Sequence, residues 1–355
     1  MGGYHPGHIA AGTRPALLHK KTHGKRRPAA VSNISSIKMM SHIDRIVGDH
    51  RPITADIFLT NYCNNQCPYC TYSRWEREQG ARHMAFDDFK RYAERLRTLG
   101  VEGIILTGGG EPTINPEFDK IAEWLSSEGF RWGINTNFNV LKIIKPTYLK
   151  VSLDGYDEDS YAQSRGVRKY ADVRRNIRTY LAWRKENSPG TALGIQMVAK
   201  NAFDVYKFYA ANRDLDVDYI VFRPVESTGG KYYKELKHVA ASPDPTSLGM
   251  IEEAIERVQT YDRRVVRNFK WSLLECQEST CTAQWAQIAL NEAGEVIYCC
   301  HKPYQVVGNI MDADILEKKE RAGTDMRMCD IPCRMTAPNM FVSQVNQRQK
   351  DDCFI

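Results

Sequence analysis

No run of about 18 or more apolar residues occurs in the chain, so no membrane-spanning helix is expected. The opening MGGYHPGHIAAGTRP lacks the charged-then-apolar order of a secretory signal. Internal repeats and low-complexity tracts are absent as well, which excludes solenoids and fibrous arrays. These absences lead to the expectation of a reducing, cytoplasmic setting. Ten cysteines there argue for metal or redox chemistry rather than for disulfides.

A length of 355 residues suffices for one large α/β domain with an appendage, or for two domains. The net charge of +6 is concentrated near the start, where residues 1–51 carry nine Lys or Arg against only Asp44 and Asp49. A basic arm over residues 1–52 would suit phosphates or an anionic substrate, or serve only as a solvated leader. Charge alone does not identify nucleic acid.

From about residue 53 short apolar runs alternate with amphipathic segments, the pattern of repeated βα units on a parallel sheet. ADIFLTNY is the first strand. In FDDFKRYAERLRTLG, Phe86, Phe89, Tyr92, Ala93, Leu96 and Leu99 form one helical stripe that Gly100 should stop. GIILTGG is the second strand, and Asn115 with Pro116 reads as the cap and first position of the next helix, EFDKIAEWLSSEG. RWGINTN, YLKVSLDG, ALGIQMVAK and DYIVFRPVE supply four further strands. Six units are too few for a closed eight-stranded barrel. The expected fold is therefore α/β, a partial (β/α)6 TIM-type barrel over residues 53–245, with its chemistry at the C-terminal strand ends. Residues 246–355 are expected to form a second domain, and seven of the ten cysteines lie from residue 265 onwards.

The segment after the first strand reads Cys63-Asn-Asn-Gln-Cys67-Pro-Tyr-Cys70. A closed structural zinc site wants four ligands. A cubane iron–sulfur cluster takes one cysteine per iron, so three cysteines leave one iron open to an exogenous ligand. C-x3-C-x2-C after a first strand resembles the radical S-adenosylmethionine (SAM) enzymes, as does the aromatic Tyr69. The likeness extends to Gly108, Gly109, Gly110, Glu111 and Pro112 after the second strand, a turn that in the family holds the cofactor's amino group. Glycines there let backbone approach a ligand closely, and Glu111 suits an ammonium. The resemblance also points to Asn137, Ser152 and Met197 for the rest of the cofactor. Asn135, Asp154 and Gln196 stand beside them, although polar residues at strand ends often only form turns. Arg165 resembles a recurrent family arginine, for the cofactor carboxylate or for a structural salt bridge.

Residues 281–299 place Cys281, Gly294 and Cys299 with twelve and four residues between them. A glycine turn in a hairpin brings such distant thiols to one end. This spacing, with GNI at 308–310 and Cys329-x3-Cys333, resembles the opening of the auxiliary-cluster domains called SPASM and twitch. No C-x2-C precedes Cys329, which favours a SPASM/twitch-like domain with one auxiliary 4Fe–4S cluster. Its expected ligands are Cys281, Cys299, Cys329 and Cys333, with Cys276 as rival and structural zinc as the alternative metal. Cys300 and Cys353 are left over, inert thiols or hydrogen-atom donors to a substrate radical.

What the resemblance implies is reductive cleavage of SAM at a 4Fe–4S cluster on Cys63, Cys67 and Cys70, followed by hydrogen abstraction by a 5′-deoxyadenosyl radical. A reductase such as flavodoxin or ferredoxin would supply the electron. Oxidation aided by the auxiliary cluster is the expected outcome, with Arg223 and Glu226 binding the substrate. An arm of about 50 residues is short for the peptide-binding module of many relatives. That tilts the expected substrate to a small polar molecule: a sugar, an aminoglycoside or a nucleotide-like metabolite. Peptide maturation or epimerisation is the alternative. A zinc-stabilised nucleic-acid-binding protein is a distant one, explaining the basic arm but not GGGEP.

Overall fold

The computed structural model describes residues 41–70, 72, 80–223, 245–266, 281–299 and 305–323, together with 339, 342 and 345. Helix α1 (Ile43–Gly48) leads into strand β1 (Thr54–Phe58). Then come α2 (Phe86–Thr98), β2 (Gly103–Thr107), α3 (Phe118–Ser127), β3 (Arg131–Thr136) and β4 (Tyr148–Ser152). Helices α4 (Glu158–Arg165) and α5 (Tyr170–Asn187) precede β5 (Ala192–Val198), α6 (Ala202–Asn212) and β6 (Tyr219–Arg223). The expected strands are all present, and the α/β partial barrel is the observed architecture.

Strands β1 to β6 run parallel in chain order. Helix α7 (Pro245–Tyr261) and the two-residue β7 (Val265–Val266) add a seventh parallel position beside β6. The other edge is extended by residues expected in a separate domain. There β8 (Gln287–Leu290) pairs parallel with β1, and β9 (Glu295–Ile297) and β10 (Val306–Asn309) follow antiparallel. Helix α8 (Ile315–Gly323) follows β10.

Alternation along the strands separates two faces. Ala55, Ile57, Ile104, Leu106, Leu149, Val151, Leu193, Ile195, Ile220 and Phe222 join the helices in one buried core. Their neighbours Asp56, Thr107, Asn135, Ser152, Gln196 and Arg223 therefore belong to the concave face. Gly133 and Gly194 sit on that face, where any side chain would overlap the rings of Tyr148 and Tyr219. Gly100, at φ +96°, stops α2 as expected, while Val101 N–H reaches back to Leu96 O at 3.0 Å.

Helix α3 starts at Phe118, later than expected and after a 3-10 turn over Pro112–Ile114. Asn115 still makes a cap-type bond, its Oδ1 accepting from Glu117 N–H at 2.8 Å. Its buried amide also donates to Leu59 O and Met84 O at 2.7 and 2.9 Å, tying the end of β1 to the start of α2. Among the described residues no helix is long and apolar enough to cross a membrane.

Candidate functional site

Strand β1 ends in the three-cysteine loop, and four neighbouring strand ends fix that loop. Gly110 is the closest approach, because a Cβ there would overlap the Tyr62 carbonyl. Without one, Gly110 N–H donates to Thr60 O and Glu111 N–H to Tyr62 O, each at 2.9 Å. The glycine turn after β2 thus lies flat on the chain entering Cys63. This is the juxtaposition the two motifs require if they serve one ligand.

Glu111 is 3% exposed and accepts from four donors: Thr113 N–H and hydroxyl, Thr136 hydroxyl and Asn137 N–H. Burial raises its carboxyl above the ordinary range, against the pull of these bonds. The side chain therefore braces β2 against β3.

After β3, Phe138 adopts a left-handed φ of +57°, so the asparagines on either side both reach the loop. Asn137 Nδ2 donates to Asn64 Oδ1 at 2.6 Å and lies 3.9 Å from Cys63 Sγ. Asn139 Nδ2 donates to Asn65 Oδ1 at 2.6 Å, and Asn65 N–H points to Cys63 Sγ at 3.4 Å. The double asparagine inside CNNQC is thus a latch, a role the spacing of the cysteines did not reveal.

On the opposite side stands Arg165, the last residue of α4. Its Nη1 lies 3.3 Å from Cys67 Sγ, its Nη2 donates to Ser152 O at 2.7 Å, and it pairs with Asp154. Asp154 also accepts from Tyr69 hydroxyl at 3.1 Å and Val198 N–H at 2.6 Å. Gly166, at φ +72°, lets α4 end against Gln66, whose N–H donates to Arg165 O at 2.8 Å. The salt bridge is present and a contact to Cys67 is added, while Arg165 Nε is left without a partner.

The loop suits an iron–sulfur group on several counts. Donors aim at Cys63 and Cys67, as they do around cluster thiolates. Cys70 packs on an apolar patch of Phe58, Tyr72, Ala289 and Ile297, the last two from the β8–β9 hairpin. Left metal-free, the Cys63 thiol is pushed up to about 12, first by burial and then by the charges of Glu111, Cys70 and Cys67. Among the described residues no three side chains converge on one metal ion, whereas a cubane takes its cysteines one per iron.

The concave face beside the loop holds buried polar atoms that find no partner: Asn135 Oδ1, Arg165 Nε and Gln196 Oε1. Two acceptors and a donor in this position fit a polar, zwitterionic ligand such as SAM. Ser152 stands opposite Gln196 in the strand register. Met197 does not join them: it lies on the helix side, 3% exposed, in the core with Leu193 and Ile195. Strand parity gives the concave position to Gln196 instead. Arg223 ends β6 on the concave face, while Glu226 lies outside the described residues.

In the C-terminal part the expected hairpin is present. Gly294, at φ +75°, turns it, and a side chain there would overlap the ring of Tyr92 on α2. Cys281 and Cys299 flank its two strands. Cys276, Cys300, Cys329, Cys333 and Cys353 lie outside the described residues. Close by, the Gln284 amide is buried with neither polar atom partnered, and Gln305 Nε2 is in the same state.

Comparison with known proteins agrees with this geometry. Residues 57–195 match the Radical SAM superfamily. The chain is 31% identical over 129 residues to a GTP 3′,8-cyclase of Haemophilus influenzae, covering 34% of this chain and 38% of that protein. The match thus spans under two fifths of that relative's length. Among solved structures, Streptococcus suis SuiB bound to the precursor peptide SuiA superposes with a TM-score of 0.60 at 14% identity. That likeness covers 86% of this chain and 73% of SuiB. The anSMEcpe protein with bound AdoMet and Cp18Cys peptide gives 0.57 at 14% identity, over 83% and 96% of the two chains.

Proposed function

This chain belongs, through residues 57–195, to the radical SAM superfamily, and from that premise we propose that it cleaves SAM and abstracts a hydrogen atom from a peptide. One observation carries the reading. The three-cysteine loop after β1 is packed against the Gly108–Gly110 turn after β2, and unpartnered buried atoms of Asn135, Arg165 and Gln196 lie at the same C-terminal strand ends.

Cys63, Cys67 and Cys70 would hold a 4Fe–4S cluster, which would supply the electron for breaking the carbon–sulfur bond of SAM. The residues around it orient and shield. Asn137, Asn139 and Arg165 hold the loop in one conformation, so the thiols are positioned before any ligand arrives. The glycine turn presents backbone to the ligand's amino group, and Gln196 and Asn135 offer acceptors. Phe58, Tyr72, Ala289 and Ile297 keep water from the Cys70 side. Cys281 and Cys299, with Cys329 and Cys333, would hold the auxiliary cluster, which would accept a second electron in an oxidative outcome.

Support for a peptide comes from SuiB and anSMEcpe, solved with peptides on the same fold. The expected small polar substrate becomes the second reading, favoured by the higher identity to GTP 3′,8-cyclase. The experiment is anaerobic reconstitution followed by measurement of 5′-deoxyadenosine after reduction. Synthetic Cys-containing peptides should raise its yield severalfold over GTP; stimulation by GTP alone would reverse the order.

A further inference from the structure

We propose that Lys319 is the built-in cation of the C-terminal cysteine site, held under Cys281 and Cys299 to compensate the charge of a thiolate-bound iron–sulfur cluster. The inference rests on the auxiliary-cluster reading and assigns it a residue outside the cysteine set.

Lys319 lies on α8 and is 3% exposed. Its ammonium donates to the carbonyl of Gln284, within the 3-10 turn Thr282–Ala286 that begins directly after Cys281. A lysine so deeply placed keeps its charge only beside a counter-charge. Among the described residues no carboxylate pairs with it. Its neighbour Lys318 takes Asp312 and Asp314 instead, at 2.8 and 3.0 Å. Burial lowers the Lys319 ammonium to about 8, and the charges of Cys281 and Cys299 oppose that shift.

The surroundings are incomplete in a second respect. Gln284 is 4% exposed with both amide atoms unpartnered. Gln305, whose carbonyl accepts from Tyr298 N–H at 2.8 Å beside Cys299, has a buried Nε2 in the same state. A buried ammonium resting on a carbonyl, with unpartnered amide atoms on Gln284 and Gln305, makes a poor protein core. With an anionic cluster on those thiols, the ammonium gains its counter-charge and the amide N–H groups gain sulfur acceptors. A cubane with thiolate ligands becomes more negative when reduced, so a fixed cation nearby favours the reduced form and raises the potential.

The test uses the full chain with Cys63, Cys67 and Cys70 replaced by Ala, reconstituted anaerobically with iron and sulfide. Iron and sulfide are counted, and the potential is read by electron paramagnetic resonance during a dithionite titration. With Lys319 present, about four irons per chain are expected. Lys319→Arg should keep the iron and a similar potential. Lys319→Gln retains a donor but no charge, and should lower the potential or lose most of the iron while circular dichroism shows a folded chain. Should that variant not fold, Lys319→Met takes its place. An unchanged potential in the neutral variant, or equal changes in the Arg and neutral variants, overturns the role of Lys319. Zinc alone, or no metal, with Lys319 intact would overturn the auxiliary-cluster reading itself, and that result appears before Lys319 is altered.

Discussion

Arg165 and Asp154 form an ion pair at the barrel mouth, with side chains 11% and 1% exposed, and the same guanidinium lies 3.3 Å from Cys67 Sγ. The pair joins the end of α4, the turn after β4 and the cysteine loop. Removing one partner of a buried pair costs about 3–5 kcal/mol, because the other charge stays buried alone. Arg165→Met should therefore destabilise the protein by that order and release iron from the first cluster. Arg165→Met with Asp154→Asn, which keeps an acceptor for Val198 N–H and tolerates the φ of +41° there, should recover part of the stability in urea melts without recovering the iron. Full iron retention in the double variant would show that the arginine only stabilises the fold.

Gly110→Ala should be far more damaging than Gly190→Ala. A Cβ at 110 would strike the backbone of Tyr62, whereas at 190 it would meet nothing within 4 Å. Overpacking against backbone costs about 1–3 kcal/mol, and the displaced turn should weaken SAM binding by tenfold or more. Gly190→Ala should stay within about 0.5 kcal/mol. Thermal melts and binding titrations on reconstituted protein check both values.

Gln196 and Met197 should part in the binding experiment. Gln196 Oε1 is buried and unpartnered, so Gln196→Leu should cost little stability. It should weaken SAM affinity about tenfold, the equivalent of one hydrogen bond. Met197→Leu conserves volume in the helix-side core and should change stability by less than about 1.5 kcal/mol and affinity hardly at all.

Asp157 caps α4 by accepting from Ser160 N–H at 2.7 Å, and that bond holds its carboxyl below the ordinary range. Asp157→Ala should cost about 1 kcal/mol near neutral pH. A depressed carboxyl stabilises the folded state above its unfolded value of about 3.9. The gap between parent and variant should therefore close as pH falls below that value. A gap unchanged at pH 2 would show that the cap acts by geometry alone.

Much of the barrel was legible because it rests on local signals. Period-two alternation marked the strands, and Gly100 and Gly129 both take the positive φ expected after their helices. The cysteine loop and the glycine turn were legible as chemistry, since few sites need three thiols beside a bare backbone. What was not legible depends on distant packing. Helix α4 buries only Tyr161 and Ser164 and so shows little amphipathic pattern. Strand β8 joins β1 across more than two hundred residues. Met197 and Gln196 are adjacent in sequence, and only the register shows which of them faces inward. Lys319 sits in LEKKERAG, a segment that reads as a solvated face until its docking on the turn after Cys281 is seen.

The most direct measurement is 5′-deoxyadenosine formed from SAM by the anaerobically reconstituted, dithionite-reduced full chain, with iron counted in the same sample. The expected result is a brown protein with about eight irons per chain, two cubane clusters, that forms 5′-deoxyadenosine. The Cys63→Ala, Cys67→Ala, Cys70→Ala variant should form none and retain about half the iron. A colourless, zinc-containing protein, or equal 5′-deoxyadenosine from the triple variant, would contradict the assignment of the cysteine loop.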